Sequence, residues 1–180
     1  MDICSFYAYY ESVACFVRFE GYVVGGEENN YSTSSVEKYN PTSNTWTYVA
    51  SIQLERYHHS SFVINGKAYI VGGTAIGYGA LKTVEKYDPV LDTWTYVSDA
   101  NITRLCHESF VLKNEGYIVG GYIYANKQDV SKTVEKYNPI TNKWVNVSDI
   151  QTARVLFSSF CVGEKAYILG GHDGAYVSTK

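Results

Sequence analysis

Three arginines, Arg56, Arg104 and Arg154, each stand 10 residues beyond a tryptophan and 16 residues ahead of a glycine doublet. A guanidinium is a planar fork of five N–H donors that grips a carboxylate through two parallel bonds. Side chains of this type, repeated at one place in a frame, suit anion recognition better than bond-making. Two other uses compete: capping backbone carbonyls within their own connector, or pairing with a neighbouring unit. The histidines offer less. His58 and His59 are adjacent, which on an extended segment turns them to opposite faces and keeps them from sharing a metal ion. His107 matches His59 one unit along, but the third equivalent is Phe157, so no metal ring is expected. His172-Asp173-Gly174 reads as a turn. Glu37, Glu85 and Glu135 precede Lys38, Lys86 and Lys136, a pattern read as a solvated charge ladder. The chain has no Gly-Lys-Ser/Thr phosphate loop and no serine nucleophile elbow. It is expected to be non-catalytic, with no cofactor and no metal.

The frame that carries the arginines is plainest from Val84 to Gly121. It holds Val84-Glu85-Lys86-Tyr87-Asp88-Pro89, Trp94, Arg104 and the doublet Gly120-Gly121. Val36 to Pro41 with Tyr39, then Trp46, Arg56 and Gly72-Gly73 repeat it, as do Val134 to Pro139 with Tyr137, then Trp144, Arg154 and Gly170-Gly171. Tyrosine to tryptophan is 7 residues in every copy. Length varies only between a doublet and the next Val-Glu-Lys-Tyr, where the step grows from 10 to 11 to 13 residues. A rigid frame at this period implies stacked supersecondary units.

Each unit reads as four short strands, a to d. Ser61-Phe62-Val63-Ile64 and Lys67 to Val71 flank Asn65-Gly66, which favours a two-residue type I′ turn because both central residues take positive φ. The doublets Gly25-Gly26, Gly72-Gly73, Gly120-Gly121 and Gly170-Gly171 close strand b and let backbones approach closely. Strand c carries Val-Glu-Lys-Tyr and stops at Asn40-Pro41, Asp88-Pro89 or Asn138-Pro139, which fit positions i and i+1 of a type I turn. Strand d carries Trp46, Trp94 or Trp144. One antiparallel sheet per repeat, with bulky aromatics at fixed places, suits sheets stacked face to face around an axis, each aromatic filling the space between neighbours.

The glycine doublets, the spaced Tyr-Asx-Pro and Trp, and the Arg ten residues beyond resemble the kelch repeat, most of all the version in kelch-like adaptor proteins. The resemblance covers residues 12–180 and implies an all-β, kelch-type β-propeller. Residues 1–11 form a lead-in that matches no complete element, with Tyr9 where the other copies carry Arg. Blades are expected at about 12–49, 59–97 and 107–147, with a half blade at 157–180. Closed propellers have about 4–8 blades. Three and a half blades leave two faces open, so the chain is expected to be part of a longer protein or to self-associate. The b–c and d–a connections emerge on one face, since alternate strands run oppositely. That face is expected to bind a peptide or loop of a partner protein. Arg56, Arg104 and Arg154 would ring the mouth of the channel that kelch propellers enclose, as contacts for an acidic motif. Tyr31, Tyr78, Tyr122 and Tyr124 are the candidate aromatic contacts on the variable loops. The resemblance further implies substrate recognition for a cullin-type ubiquitin ligase adaptor, with actin binding as the alternative. Kelch-fold oxidases and sugar epimerases are remoter, since no ligand pattern of theirs is recognisable.

Composition agrees with an aromatic-rich β protein: 18 tyrosines accompany 7 phenylalanines and one methionine. A formal charge of -3 offers no basic footprint for nucleic acid. No stretch approaches a membrane span, and Met1-Asp2-Ile3-Cys4 is unlike a signal peptide, so a cytoplasmic setting is expected. Cys4, Cys15, Cys106 and Cys161 show no CxxC pairing and read as reduced core thiols.

Overall fold

The alternating apolar and polar residues resolve into 18 short strands and, among the described residues, no helix. The computed structural model describes residues 13–17, 20–124 and 129–174. The lead-in with Tyr9, and the end of the last connector, lie outside them. The first sheet pairs β1 (Val13–Val17), β2 (Glu20–Val24), β5 (Val36–Asn40) and β6 (Thr45–Tyr48) in that order. The hairpin of β3 (Glu27–Glu28) and β4 (Tyr31–Ser32) rises from its b–c connection. The second sheet orders β7 (Ser60–Ile64), β8 (Lys67–Val71), β11 (Val84–Asp88) and β12 (Thr93–Val97), with β9 (Thr74–Ala75) and β10 (Gly79–Ala80) in the same kind of loop. The third orders β13 (Glu108–Leu112), β14 (Glu115–Val119), β15 (Val134–Asn138) and β16 (Lys143–Val147). A two-stranded sheet of β17 (Val155–Val162) and β18 (Lys165–His172) completes the order. Every pairing is antiparallel. The chain is thus an incomplete propeller of three four-stranded blades and a half blade.

Local chemistry explains the joints. Asn65 and Gly66 both take positive φ, 51° and 70°, and Ile64 faces Lys67 across a two-residue turn, as Asn-Gly requires. Lys113 and Asn114 adopt the same turn, at 51° and 64°, without a glycine to announce it. At the c–d turn Asp88 Oδ1 accepts the Val90 N–H at 2.9 Å, and Asn138 Oδ1 accepts that of Ile140 at 2.9 Å. The side chain before proline therefore closes the turn that proline starts.

The strand a elements lie against one another, β1 on β7, β7 on β13 and β13 on β17, so the sheets fan out from a common inner edge. The core lies between sheets. Tyr22, Val36, Ile52, Ala68, Ile70, Tyr87 and Trp94 fill the first gap. Phe62, Tyr69, Val84, Ile118, Tyr137 and Trp144 fill the second. Tyr87 and Trp94 lie 4.9 Å apart, Tyr137 and Trp144 5.0 Å, in tilted stacks. Trp94 Nε1 donates to the Ala50 carbonyl and Trp144 Nε1 to that of Ser98, each reaching the preceding blade at 2.9 Å. Trp46 keeps the 5.0 Å stack on Tyr39 but is 50% exposed, against 6% for Trp94 and 8% for Trp144. Among the described residues a blade precedes Trp94 and Trp144 but not Trp46.

The thiols divide in the same way. Cys15 is buried, and burial pushes its thiol up to about 11, outside the reactive range. Cys161 is exposed, because the half blade has no covering neighbour among the described residues; its reading as a core thiol is corrected.

Candidate functional site

Arg56 leaves the d–a connector between the first two blades and points inward. Its five N–H donors are all occupied: Nε by the Leu54 carbonyl at 3.3 Å, Nη1 by the carbonyls of Gly72 and Thr83 at 2.9 and 3.0 Å, and Nη2 by Thr83 Oγ1 at 3.1 Å and Glu85 Oε1 at 2.9 Å. Arg104 repeats the arrangement with Gly120, Thr133 and Glu135, its Nη2 lying 3.0 Å from Glu135 Oε1. Both ion pairs are buried, with side chains at most 1% exposed. The expectation that these arginines present open forks to an acidic motif is therefore corrected. A saturated, buried guanidinium has no donor left for a partner's carboxylate. Glu85 and Glu135 are corrected too, from a solvated ladder to buried counter-ions. Each uses its second oxygen on the preceding connector: Glu85 Oε2 accepts the Gln53 N–H at 2.7 Å, and Glu135 Oε2 that of Asn101 at 2.6 Å.

The same arginines explain the fixed frame. The Arg104 carbonyl accepts the Gly73 N–H of the preceding blade at 2.7 Å, while its side chain holds the Gly120 carbonyl of its own. A Cβ added to Gly72, at φ +62°, would sit 2.6 Å from the Arg104 carbonyl oxygen. Only glycine admits that approach. Arg, doublet and strand c Glu form one joint, which holds the 16 residues from Arg to doublet constant while the loop between doublet and Glu varies in length. Arg154 keeps the bond to its own doublet, donating Nη1 to the Gly170 carbonyl, and is half-buried.

Beside the joints stand side chains at the start of strand a. His59 and His107 are buried, at 4% exposure, and occupy the place taken by buried Phe157 in the half blade. His58 takes φ +56° rather than an extended conformation, and its carbonyl accepts the Cys106 N–H at 2.9 Å. His107 Nε2 meets Ser60 Oγ at 2.7 Å, while neither ring nitrogen of His59 has a hydrogen-bond partner among the described residues. No group of three or more potential metal ligands occurs among the described residues. Burial, with the nearby arginines, pulls His59 down to about 3 and His107 well below the ordinary histidine value. The unfolded chain binds protons at histidine near pH 6.5 while the folded one does not. Stability is therefore full above about pH 6.5 and falls as pH drops, by about 1.4 kcal/mol per pH unit for each such histidine. Urea midpoints between neutral pH and about pH 5.5, where most carboxylates are still ionised, check this. His59→Phe should flatten the slope.

What remains outward on the b–c/d–a face is aromatic. Tyr31, Tyr78 and Tyr124, one on each blade's b–c loop, are 74, 69 and 55% exposed. Tyr122 is not among them. It bridges Leu105 and Val130 and lies 3% exposed in a small cluster with Leu105 and Val155, so its place as an outward contact is corrected. The loops brace one another: the Ile76 N–H donates to Ser32 Oγ of the neighbouring loop at 3.0 Å. Glu28 and Asp129 are exposed and Glu27 and Glu55 half-buried, so with Arg56 and Arg104 turned inward the face keeps its acids and loses two of its cations. The recurrence of one Arg and one Glu at set places in every repeat was the available sign of the buried pairs.

Comparison with known proteins agrees with this architecture. A family model described as the KLHDC2/KLHL20/DRC7 Kelch-repeats domain matches residues 6–171. Kelch-like protein 36 of Rattus norvegicus is 44% identical over 50 residues, 28% of this chain and 8% of that protein. Kelch-like protein 31 of Homo sapiens is 39% identical over 59 residues, 29% and 9% of the two. An F-box/kelch-repeat protein of Arabidopsis thaliana is 37% identical over 67 residues, 37% and 18% of the two. The matches thus span less than a fifth of these relatives' lengths. Among solved structures, YjhT superposes with a TM-score of 0.79 at 18% identity, over 92% of this chain and 59% of that one. No helix among the described residues is long and apolar enough to cross a membrane.

Proposed function

The chain belongs to the KLHDC2/KLHL20/DRC7 kelch-repeat family, and from that premise we propose that it is a non-catalytic, cytoplasmic protein-interaction module that binds a partner's peptide or loop on its b–c/d–a face. The observation that carries this is the row of three exposed tyrosines, Tyr31, Tyr78 and Tyr124, on successive braced loops. Tyrosine supplies large contact area with a polar tip at small entropic cost, which is why it is enriched at interfaces. An acidic motif, the chemistry first expected, has lost two of its three guanidinium readers to the interior. Recognition therefore rests on aromatic contact, with Glu28 and Asp129 favouring a neutral or basic segment. Kelch-like and F-box/kelch-repeat relatives support substrate recognition for a cullin-type ubiquitin ligase as the setting.

The test places a photo-reactive benzophenone side chain at Tyr31, Tyr78 or Tyr124 and, separately, at Ile140, which is exposed on a c–d turn at the opposite end of the sheets. A partner crosslinked from the tyrosine positions and not from Ile140 is expected. Replacing all three tyrosines by alanine should abolish it with the melting temperature unchanged, since surface changes cost within about 0.5 kcal/mol each. Crosslinking from Ile140 alone, or binding that survives the triple change, would overturn the reading.

A further inference from the structure

On the first two blades the tyrosine face is tied together across its loops. Tyr31 opens β4, and Ile76 and Tyr78 stand in the turn between β9 and β10, all three exposed. The bond from the Ile76 N–H to Ser32 Oγ joins the two loops. Their main chain is spent within them: Glu28 pairs with Tyr31 and Ala75 with Gly79, the Tyr78 N–H donates to the Ala75 carbonyl at 3.0 Å, and the N–H groups of Thr33 and Leu81 donate to the carbonyls of Gly26 and Gly73 at 2.9 and 2.8 Å. Side chains rather than main chain are left to meet a partner. At the inner end Tyr57, half-buried, bridges to Thr74, and its ring lies 4.7 Å from that of His58. Burial, then the Glu27 carboxylate and Cys106, push the Tyr57 phenol up, which puts Glu27 within electrostatic reach of that ring. Glu28 is exposed beside Glu27, and Glu55 is half-buried on the connector that carries Tyr57.

These features select among the ways a face can hold a peptide. Strand addition draws on unpaired main chain, and acidic or phosphorylated motifs draw on exposed guanidiniums. This pair of loops has spent the first, and Arg56, the neighbouring cation in the chain, is buried against Glu85. A polyproline II segment needs neither. Its backbone makes no internal hydrogen bonds and stays solvated, its shape is set before binding, and it docks on aromatic side chains. We propose, resting on the interaction face proposed above, that Tyr31, Ile76 and Tyr78 dock a proline-rich segment of a partner protein in the polyproline II conformation, with an arginine or lysine of that segment held between Glu27 and Tyr57. The pyrrolidine rings lie across the exposed tyrosines and Ile76. A carboxylate beside an aromatic ring suits the cation twice over, by ion pairing and by attraction to the ring face. Glu28 and Glu55 add to the same sign of charge.

The probe is a peptide of ten prolines with an arginine at each end, titrated calorimetrically into the full chain. Saturable binding is expected. A glycine-serine peptide of the same length, with the same arginines, should bind about tenfold more weakly or worse, because it must be ordered on binding and brings no rings. Exchanging the arginines of the proline peptide for glutamates should weaken it about threefold or more, and Glu27→Gln should remove most of that difference. Tyr31→Ala combined with Tyr78→Ala should weaken it about tenfold with the melting temperature unchanged. The changes made in the peptide cannot disturb the chain's own fold, so they decide the matter even if a variant of the chain is destabilised. Absence of saturable binding, equal binding of the proline and glycine-serine peptides, or indifference to the paired tyrosine change would overturn the proposal. A partner crosslinked from Tyr31 or Tyr78 that the proline peptide fails to displace would leave the interaction face standing and refute its preference for proline. Failure of crosslinking from every tyrosine would remove both.

Discussion

Arg104→Met is expected to destabilise the chain by about 3–5 kcal/mol, the cost of leaving a buried partner charge uncompensated. The partner is Glu135, with Oε1 3.0 Å from Arg104 Nη2 and neither side chain more than 1% exposed. The loss compounds, because the carbonyls of Gly120 and Thr133 give up their donor in the same interior. Total stabilities of about 5–15 kcal/mol leave little margin for such a change. Urea melts of Arg104→Met, Glu135→Leu and the double variant check it. The double variant should be less destabilised than the sum of the singles, since it removes both charges at once and orphans only neutral groups, the carbonyls and the Asn101 N–H. Arg154→Met, which gives up one hydrogen bond at a half-buried position, should cost only about 1 kcal/mol. A silent Arg104→Met would restore that residue as a candidate partner contact and dismantle the joint.

Trp94→Ala should cost about 3–5 kcal/mol, as truncation of a buried aromatic does. Its ring stacks on Tyr87, its Nε1 holds the Ala50 carbonyl of the preceding blade, and the gap it fills is lined by Tyr22, Ile52 and Ile70. Trp46, with the same sequence neighbours and the same stack, is half exposed. Trp46→Ala should therefore cost less than half as much. Equal effects in denaturant melts would show that the tryptophans work within blades rather than between them, and the stacking order would need revision.

Much of the frame is legible in the sequence. Fixed spacings of 7, 10 and 16 residues announced one unit three times over, and period-2 patterning, Asn65-Gly66 and the Asx-Pro dipeptides placed strands and turns. These signals are local: a residue's allowed φ and the alternation of faces act over two to four positions, so the chain carries them directly. The turn at Lys113-Asn114 went unannounced because lysine has no intrinsic liking for the left-handed region; the hairpin's twist imposes it.

What each repeated side chain does was decided only by the tertiary structure. Charge alone does not say whether an arginine faces solvent or a carbonyl, and the answer for Arg56 and Arg104 depends on Glu85 and Glu135, residues distant in sequence that only the stacking of strand c on the connector brings within 3.0 Å. Tyr31 and Tyr122 look alike on a line of residues, yet one projects and the other closes a bridge to Leu105. Trp46 and Trp94 share a motif and differ in burial because burial belongs to the gap between two blades, not to either alone. The sequence by itself determined the repeat, the strands and the family; the sharing of surfaces between neighbouring sheets determined which copies of each residue hold the fold and which remain free to meet a partner.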